Sequence, residues 1–291
     1  MNYSSNKSSC PRISSGILLL ATLFALLLPV LGRAELTSFA IISDSHIGFR
    51  ESVYAAFIKA VEEQKIEVII HVGDAINRPG SSKEWARFFE ITGPGKILHL
   101  APGNHDIQGR GSLTEYSKHF PNLYYSFSDG DTLFVLLNTE LPGEESTVSG
   151  EQLAWLEKEL KRPFPYKFVF LHKPPFPIVS LHGLDRHATF RDNLHRLFVE
   201  NGVSLVVSGH DHLYHRSVKQ GIIYIIAGGG GGQLWFLSEN GNFFHHIVAV
   251  RSKGGYSFVV KDAEGKKRDE FSVTKANSSK NGTSQKAESG R

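Results

Sequence analysis

Phe39-Ala-Ile-Ile-Ser runs directly into Asp44-Ser-His46, and the same construction recurs four more times along the chain. Val68-Ile-Ile-His-Val leads into Gly73-Asp74, and Ile97-Leu-His-Leu-Ala-Pro into Gly103-Asn104-His105-Asp106. Phe168-Val-Phe-Leu leads into His172, and Leu205-Val-Val-Ser into Gly209-His210-Asp211-His212. Each apolar run has the length and composition of a buried strand, and each stops at a polar cluster. In an open α/β sheet, ligands gather beyond the carboxyl ends of parallel strands, so this punctuation brings distant residues to one edge. The fold class expected is α/β, with a single site assembled at the strand ends.

The segments between these runs read as helices. Between the first two strands, Val53, Phe57, Ala60 and Val61 share one helical face. Trp85, Phe88 and Phe89 mark a second helix, with Ser82 as its expected cap. Ser149-Gly-Glu-Gln152 has the spelling of a capping box ahead of Leu153, Leu156 and Leu160, and Pro163 stops that helix. Phe190, Leu194, Leu197 and Phe198 form a fourth stripe. The remaining strands are expected to be antiparallel: Tyr124-Tyr-Ser-Phe-Ser and Thr132-Leu-Phe-Val-Leu-Leu around the turn Asp129-Gly-Asp, then 222–227, 243–251 and 256–260.

The side chains at the strand ends define a chemistry. Carboxylate, imidazole and amide oxygen suit Zn, Mn and Fe and do not suit thiolate-seeking ions. Asp44, His46, Asp74, Asn104, His172, His210 and His212 are too many for one four-coordinate ion but fill two centres if one carboxylate is shared. Two metals about 3.5–4 Å apart clamp a phosphoryl group for in-line displacement and activate a bridging water.

In order and spelling, D-x-H, G-D, G-N-H-D, H and G-H-x-H resemble the calcineurin-like metallophosphoesterase superfamily, over roughly residues 37–232. The resemblance implies a layered α-β-β-α sandwich of two mixed sheets. It implies that Asp44, His46 and His212 hold one metal, that Asn104, His172 and His210 hold the other, and that Asp74 bridges them. His105 would stand beside the phosphate as proton donor or charge stabiliser, or else serve as a further ligand, and Asp106 would orient its ring. The similar purple acid phosphatase branch places a Tyr ligand three residues after the bridging Asp. Asn77 stands there in this chain, so a phenolate-bound ferric site is not expected. Two divalent or mixed-valence ions (Mn, Fe or Zn) are the expected cofactors.

Lys7 and Arg12 precede an apolar run at 17–30, and Gly32-Arg33-Ala34 supplies small residues for cleavage. This reads as a signal peptide over 1–34, cut after Ala34, for a secreted or periplasmic protein. The run, about 15 residues, is short of the ~20 that span a bilayer, and retention as an uncleaved anchor is the alternative. Cys10, the single cysteine, lies in this segment. Lys7, Arg12 and Arg33 also account for the whole formal excess of +3, so basic and acidic residues balance beyond Ala34. Net charge therefore gives no support for a nucleic-acid groove. The catalytic domain is placed at 35–271, followed by a disordered tail at 272–291 containing the acceptor triplets at Asn277 and Asn281.

Other residues carry weaker signals. His182 and His187 fall in the Pro-rich loop after His172 and are candidate substrate contacts, as are Asn77 and Arg78 just past Asp74. His71 and His99 read as packed strand residues with satisfied ring nitrogens, and His195 and His215 as surface residues. Asp211 is expected to point away or to support a neighbouring ligand histidine. The five glycines at 228–232 read either as a solvated turn or as bare backbone that lets substrate approach, with Trp235 and Phe236 as a wall beyond.

The function expected is an exported dinuclear phosphoesterase that hydrolyses small phosphomonoesters by attack of a metal-bridging hydroxide. A phosphodiesterase of the 3',5'-cyclic-nucleotide type and a non-catalytic scaffold of the same fold are the alternatives. A small phosphorylated substrate is the expected partner, with no nucleic acid and no stable membrane anchor, and the oligomeric state is left open.

Overall fold

The computed structural model describes residues 36–235 and 241–274. The expected signal segment with its expected cut after Ala34, Phe236, and residues 275–291 of the tail, with Asn277 and Asn281, lie outside the described residues. Among the described residues no helix is long and apolar enough to cross a membrane.

The described residues begin with two strand–helix–strand units. β1 (Ser38–Ile42), α1 (Tyr54–Glu63), β2 (Val68–His71), α2 (Ser82–Thr92) and β3 (Ile97–Leu100) alternate, and β1, β2 and β3 pair in parallel. Two short helices, α3 (Asn104–Ile107) and α4 (Ser112–Ser117), lead to the hairpin β4 (Tyr125–Asp129) and β5 (Thr132–Leu136). Next come α5 (Gly150–Leu160), β6 (Tyr166–Phe170), a 3₁₀ turn at Leu184–His187, α6 (Ala188–Glu200) and β7 (Leu205–Ser208). β8 (Tyr214–Lys219), β9 (Ile222–Ala227), β10 (His245–Ser252), β11 (Gly255–Asp262) and β12 (Lys267–Thr274) complete the described residues. Two six-stranded mixed sheets result, ordered β12-β11-β10-β1-β2-β3 and β4-β5-β6-β7-β9-β8.

Strand alternation builds three apolar layers. Phe39 and Ile41 on β1 pack with Phe134, Phe168, Phe258 and their neighbours between the sheets. Ala40 and Ile42, one residue out of phase, pack with Phe57, Trp85 and Phe88 beneath α1 and α2. Leu156, Leu194 and Phe198 from α5 and α6 cover the outer face of the second sheet. Each such fully buried side chain contributes about 1.5–3 kcal/mol, and losing one as large as Trp85 to Ala costs about 3–5 kcal/mol.

Several local expectations need correction. α2 is capped by Ser81, whose hydroxyl accepts from the Glu84 N–H, and Ser82 is already helical. The capping box at α5 does not form: Ser149 Oγ donates to Glu144, while Gln152 exchanges two hydrogen bonds with the Asn138 backbone. β9 is parallel to β7 and antiparallel only to β8, and β5 is parallel to β6. Residues 272–274 belong to β12, paired with β11, so the domain runs past 271.

Candidate metal centre

The loops leaving β1, β2, β3, β6 and β7 converge at one edge, and all seven expected ligands are there. Asp74 Oδ2 lies 3.3 Å from His172 Nε2 and 3.7 Å from His46 Nε2, between two sets of donors. On one side His212 Nε2 is 3.4 Å from Asp44 Oδ1 and 3.2 Å from His46 Nε2. On the other, His172 Nε2 is 3.2 Å from Asn104 Oδ1 and 3.3 Å from His210 Nδ1. Ring nitrogens facing each other this closely repel unless a cation, proton or metal, lies between them. The donors present thus fit two hard or borderline ions, with Asp74 common to both.

The rings are held from behind. His172 Nδ1 donates to Val72 O at 2.9 Å and His212 Nδ1 to Gln233 O at 2.9 Å, which turns each Nε2 toward the centre. The loops are strained to match. Of the eight non-glycine residues with positive φ among those described, four are Asp44, His46, Asp74 and His210. The His210 N–H donates to both Asp44 carboxylate oxygens, tying the last loop to the first.

Burial dominates the electrostatics, and the partners decide its outcome. Burial opposes ionisation of Asp74, but His172 and His46 hold its carboxyl well below the usual range. Burial likewise opposes ionisation of Asp44, which the His212 and His172 rings nonetheless hold low. His172 resists the opposite pull of burial and is pushed up to about 10 by Asp74 and then Asp44. His210, buried and next to a charged His172, falls to about 2. Burial, helped by the His212 and His105 rings, lowers His46 against the opposite pull of Asp74 and Asp44.

His105 stands at the rim of this cluster. Its backbone N–H donates to Asp74 Oδ1 at 2.8 Å, its Nδ1 donates to Asn77 O at 2.5 Å, and its ring meets His46 edge-on with centroids 4.6 Å apart. It also groups with His46 and Asp74 as a set of convergent ligand atoms. Asp106 does not orient it. That carboxylate is fully buried and accepts backbone N–H groups from Asp74, Ala75 and Gly103, so it fastens the Asp74 loop to the start of α3. Asn77 therefore acts through its carbonyl. Arg78 projects into solvent with its Nε on Glu84 Oε1 at 2.6 Å and does not line the cleft described next.

A cleft of about 870 Å³ opens beside the centre, lined by Asn104 and His210 from the ligand set and by His182, Arg186 and His187 from the Pro-rich loop. His182 stacks on His210 at 4.1 Å between centroids, meets Trp235 at 4.7 Å, and donates from Nδ1 to the buried Asp211 carboxylate at 2.8 Å. Asp211 thus supports His182 and neither of the ligand histidines beside it. Nothing in the sequence signals this contact across 29 residues. The sequence also hid Glu84, whose carboxylate accepts the N–H groups of Asn77 and Arg78.

The glycines 228–232 are neither solvated nor open to substrate. They are buried, and a Cβ on Gly232 would collide with the His212 and His46 rings. The absence of side chains lets this segment run directly behind two ligands. His71 is buried with Nε2 on Ser45 Oγ at 2.9 Å but with Nδ1 unsatisfied. His195 is part-buried against the Tyr224 hydroxyl and is not a free surface residue.

Residues 37–214 match the family model for calcineurin-like phosphoesterases, more than half of the chain, and the chain belongs to that family. Purple acid phosphatase 15 of Arabidopsis thaliana is 27% identical over 174 residues, 51% of this chain and 32% of that protein. The human serine/threonine-protein phosphatase CPPED1 is 28% identical over 155 residues, 47% of this chain and 48% of that protein. The matched stretch thus spans between a third and a half of these relatives' length. Among solved structures, purple acid phosphatase PPD1 from yellow lupin seeds superposes with a TM-score of 0.66 at 15% identity, covering 87% of this chain and 57% of that one. At that identity the likeness concerns the fold alone.

Proposed function

We propose that this calcineurin-like phosphoesterase is an exported dinuclear metal-dependent phosphomonoesterase acting on small substrates. The observation that carries the reading is the placement of Asp74 Oδ2 between two convergent donor sets, two of whose members, Asn104 and His210, line an open cleft. Asp44, His46 and His212 would hold one ion, Asn104, His172 and His210 the other, with Asp74 shared. Bound there, two ions supply a nucleophilic water at neutral pH and Lewis acidity toward the phosphate oxygens.

The chain's own residues do the rest. His105 is aimed by the Asn77 carbonyl, so its Nε2 side is available to a phosphate or to the departing oxygen. His182, fixed by Asp211 and stacked on His210, presents a second ring toward the cleft as a substrate contact. Arg186 and His187 line the same cleft. Its openness admits a small ester without a separate substrate domain. Asn77 at the third position after Asp74 argues against a phenolate-bound site, despite the similarity to purple acid phosphatases.

The test is the protein reconstituted with Mn, Fe or Zn and assayed on alkyl and aryl monoesters, diesters and cyclic nucleotides, with bound metal counted in parallel. Two metals per chain and fastest turnover on monoesters are expected. Faster turnover of diesters or cyclic nucleotides would make it a phosphodiesterase, and two bound metals without turnover of any ester would make it a scaffold. Export is tested separately: the protein recovered from its producing cell should begin at Glu35, and an intact Met1 would refute cleavage.

A further inference from the structure

Next to the ligands lies a second polar cluster that the proposed chemistry does not use. Glu140 is 1% exposed, and its oxygens accept from Thr139 Oγ1 at 2.9 Å, Gln108 Nε2 at 2.6 Å and Lys173 Nζ at 2.8 Å. Lys173 Nζ has one further partner, Ser146 Oγ at 3.0 Å. An ammonium has three N–H donors, and these two contacts use two of them. The Lys173 side chain, 12% exposed, lines the same cleft as Asn104 and His210.

The supporting shell is built for this orientation. Ser146 is buried yet held at φ 60, a conformation disfavoured for a residue with a Cβ, and its hydroxyl faces Lys173. Three donors converge on the Glu140 carboxylate, which lines the cleft together with Lys173. The other acid lining the cleft, Glu145, folds back onto the Gly143 N–H at 3.0 Å. Arg186 and His187 add donors to the lining.

We propose that Lys173 is the core of an anion subsite that receives a second anionic group of the substrate while the scissile phosphate sits at the metal centre. The preferred substrates are then small phosphoesters bearing a carboxylate or a second phosphate. This rests on the phosphomonoesterase reading and deepens it. Lys173 directly follows the ligand His172, so backbone placement of one fixes the reach of the other.

The experiment compares 2-phosphoglycerate with glycerol 2-phosphate, which differ by a carboxylate in place of a hydroxymethyl group. Wild type should favour the former by about tenfold in kcat/KM, the scale of one charge-assisted hydrogen bond. The ratio should fall toward one in Lys173→Gln and in the double variant Lys173→Gln/Glu140→Gln, which leaves no buried carboxylate alone. A wild-type ratio near one, or parallel losses on both esters that preserve the ratio, would make Lys173 only the counter-ion of Glu140. Binding of phosphonoacetate against methylphosphonate, read as thermal shift of the metal-loaded protein, separates the two readings. About tenfold tighter binding of phosphonoacetate, lost in the double variant, supports the subsite even if no ester turns over. Equal binding by wild type overturns it.

Discussion

Replacing Asp106 by Asn tests whether that residue acts on the catalytic ring or on the loop. Its carboxylate accepts from Asp74 N at 2.8 Å, Gly103 N at 2.9 Å and Ala75 N at 2.9 Å, with no exposure to solvent. A carboxylate only accepts, whereas an amide has one accepting oxygen and a donating NH₂. An Asn that keeps Asp74 and Gly103, the cheaper flip, must turn its own NH₂ toward the Ala75 N–H, leaving both of these donors without an acceptor. Two buried donors left without acceptors cost about 1–3 kcal/mol each, so about 2–6 kcal/mol together. For a domain of this size, each kcal/mol shifts Tm by about 2–4 °C, so a drop of about 5–20 °C follows. The melt should be run with metals bound at pH 8, above the value of about 7 to which burial and then the Asp74 charge push Asp106. Metal content should fall with Tm, because the same bonds hold the strained Asp74 backbone at φ 54. A variant that melts within about 2 °C of the parent and keeps both metals would refute the argument. Lost activity at unchanged Tm would instead restore Asp106 as a partner of His105.

Asp74→Asn should cost more metal and more turnover than Asn104→Ala, because Asp74 alone serves both donor sets. Atomic-emission counting of metal in both variants decides it, and two metals retained in Asp74→Asn overturns the bridge. His105→Ala should slow an alkyl phosphate by about 10²–10⁴ but p-nitrophenyl phosphate far less, since the latter's leaving group needs no proton. Equal losses in kcat/KM at matched metal content would exclude the acid role. Metal affinity should rise with pH: burial works against it, but Asp74 and Asp44 keep His172 protonated up to about 10, so an incoming ion must displace that proton. That proton alone means about tenfold tighter binding per pH unit between roughly pH 6 and 8, and His212, which burial lowers but Asp44 raises overall, steepens the slope at the acid end, measured by chelator competition. Affinity independent of pH would contradict it.

The ligand set was legible because each member follows an apolar strand, and β1, β2, β6 and β7, largely buried where β3 is not, end in the same way. What the sequence could not show were contacts that depend on the path of a loop. His182 reaches Asp211 across 29 residues and Lys173 reaches Glu140 across 33, and neither pair leaves a periodicity. The Asp106 error was of another kind. Adjacency to His105 suggested a ring contact, but at the first turn of α3 a carboxylate is drawn to free N–H groups. The parallel pairing of β9 does have a signal in the sequence: Ile222–Ala227 carries no alternating polar position, the pattern of a strand covered on both faces.

The cost of the site is concentrated in its backbone. Positive φ at Asp44, His46, Asp74 and His210 costs about 1–3 kcal/mol apiece and persists only where surrounding bonds over-determine it. Those bonds are present and independent of any ion. Asp44 N donates to Gly73 O, His46 N to Asp74 O, Asp74 N to Asp106, and His210 N to the Asp44 carboxylate. Each strained residue is thus tied to a neighbouring ligand loop, and with His172 Nδ1 on Val72 O and Gly209 N on His172 O the loops close a circuit from β1 through β2 and β6 to β7. The buried glycines behind His212 and His46 complete the circuit by allowing backbone where any side chain would displace a ring. The geometry that brings these ligand groups together is therefore held by backbone bonds of the fold, which lowers the binding energy spent on ordering the loops.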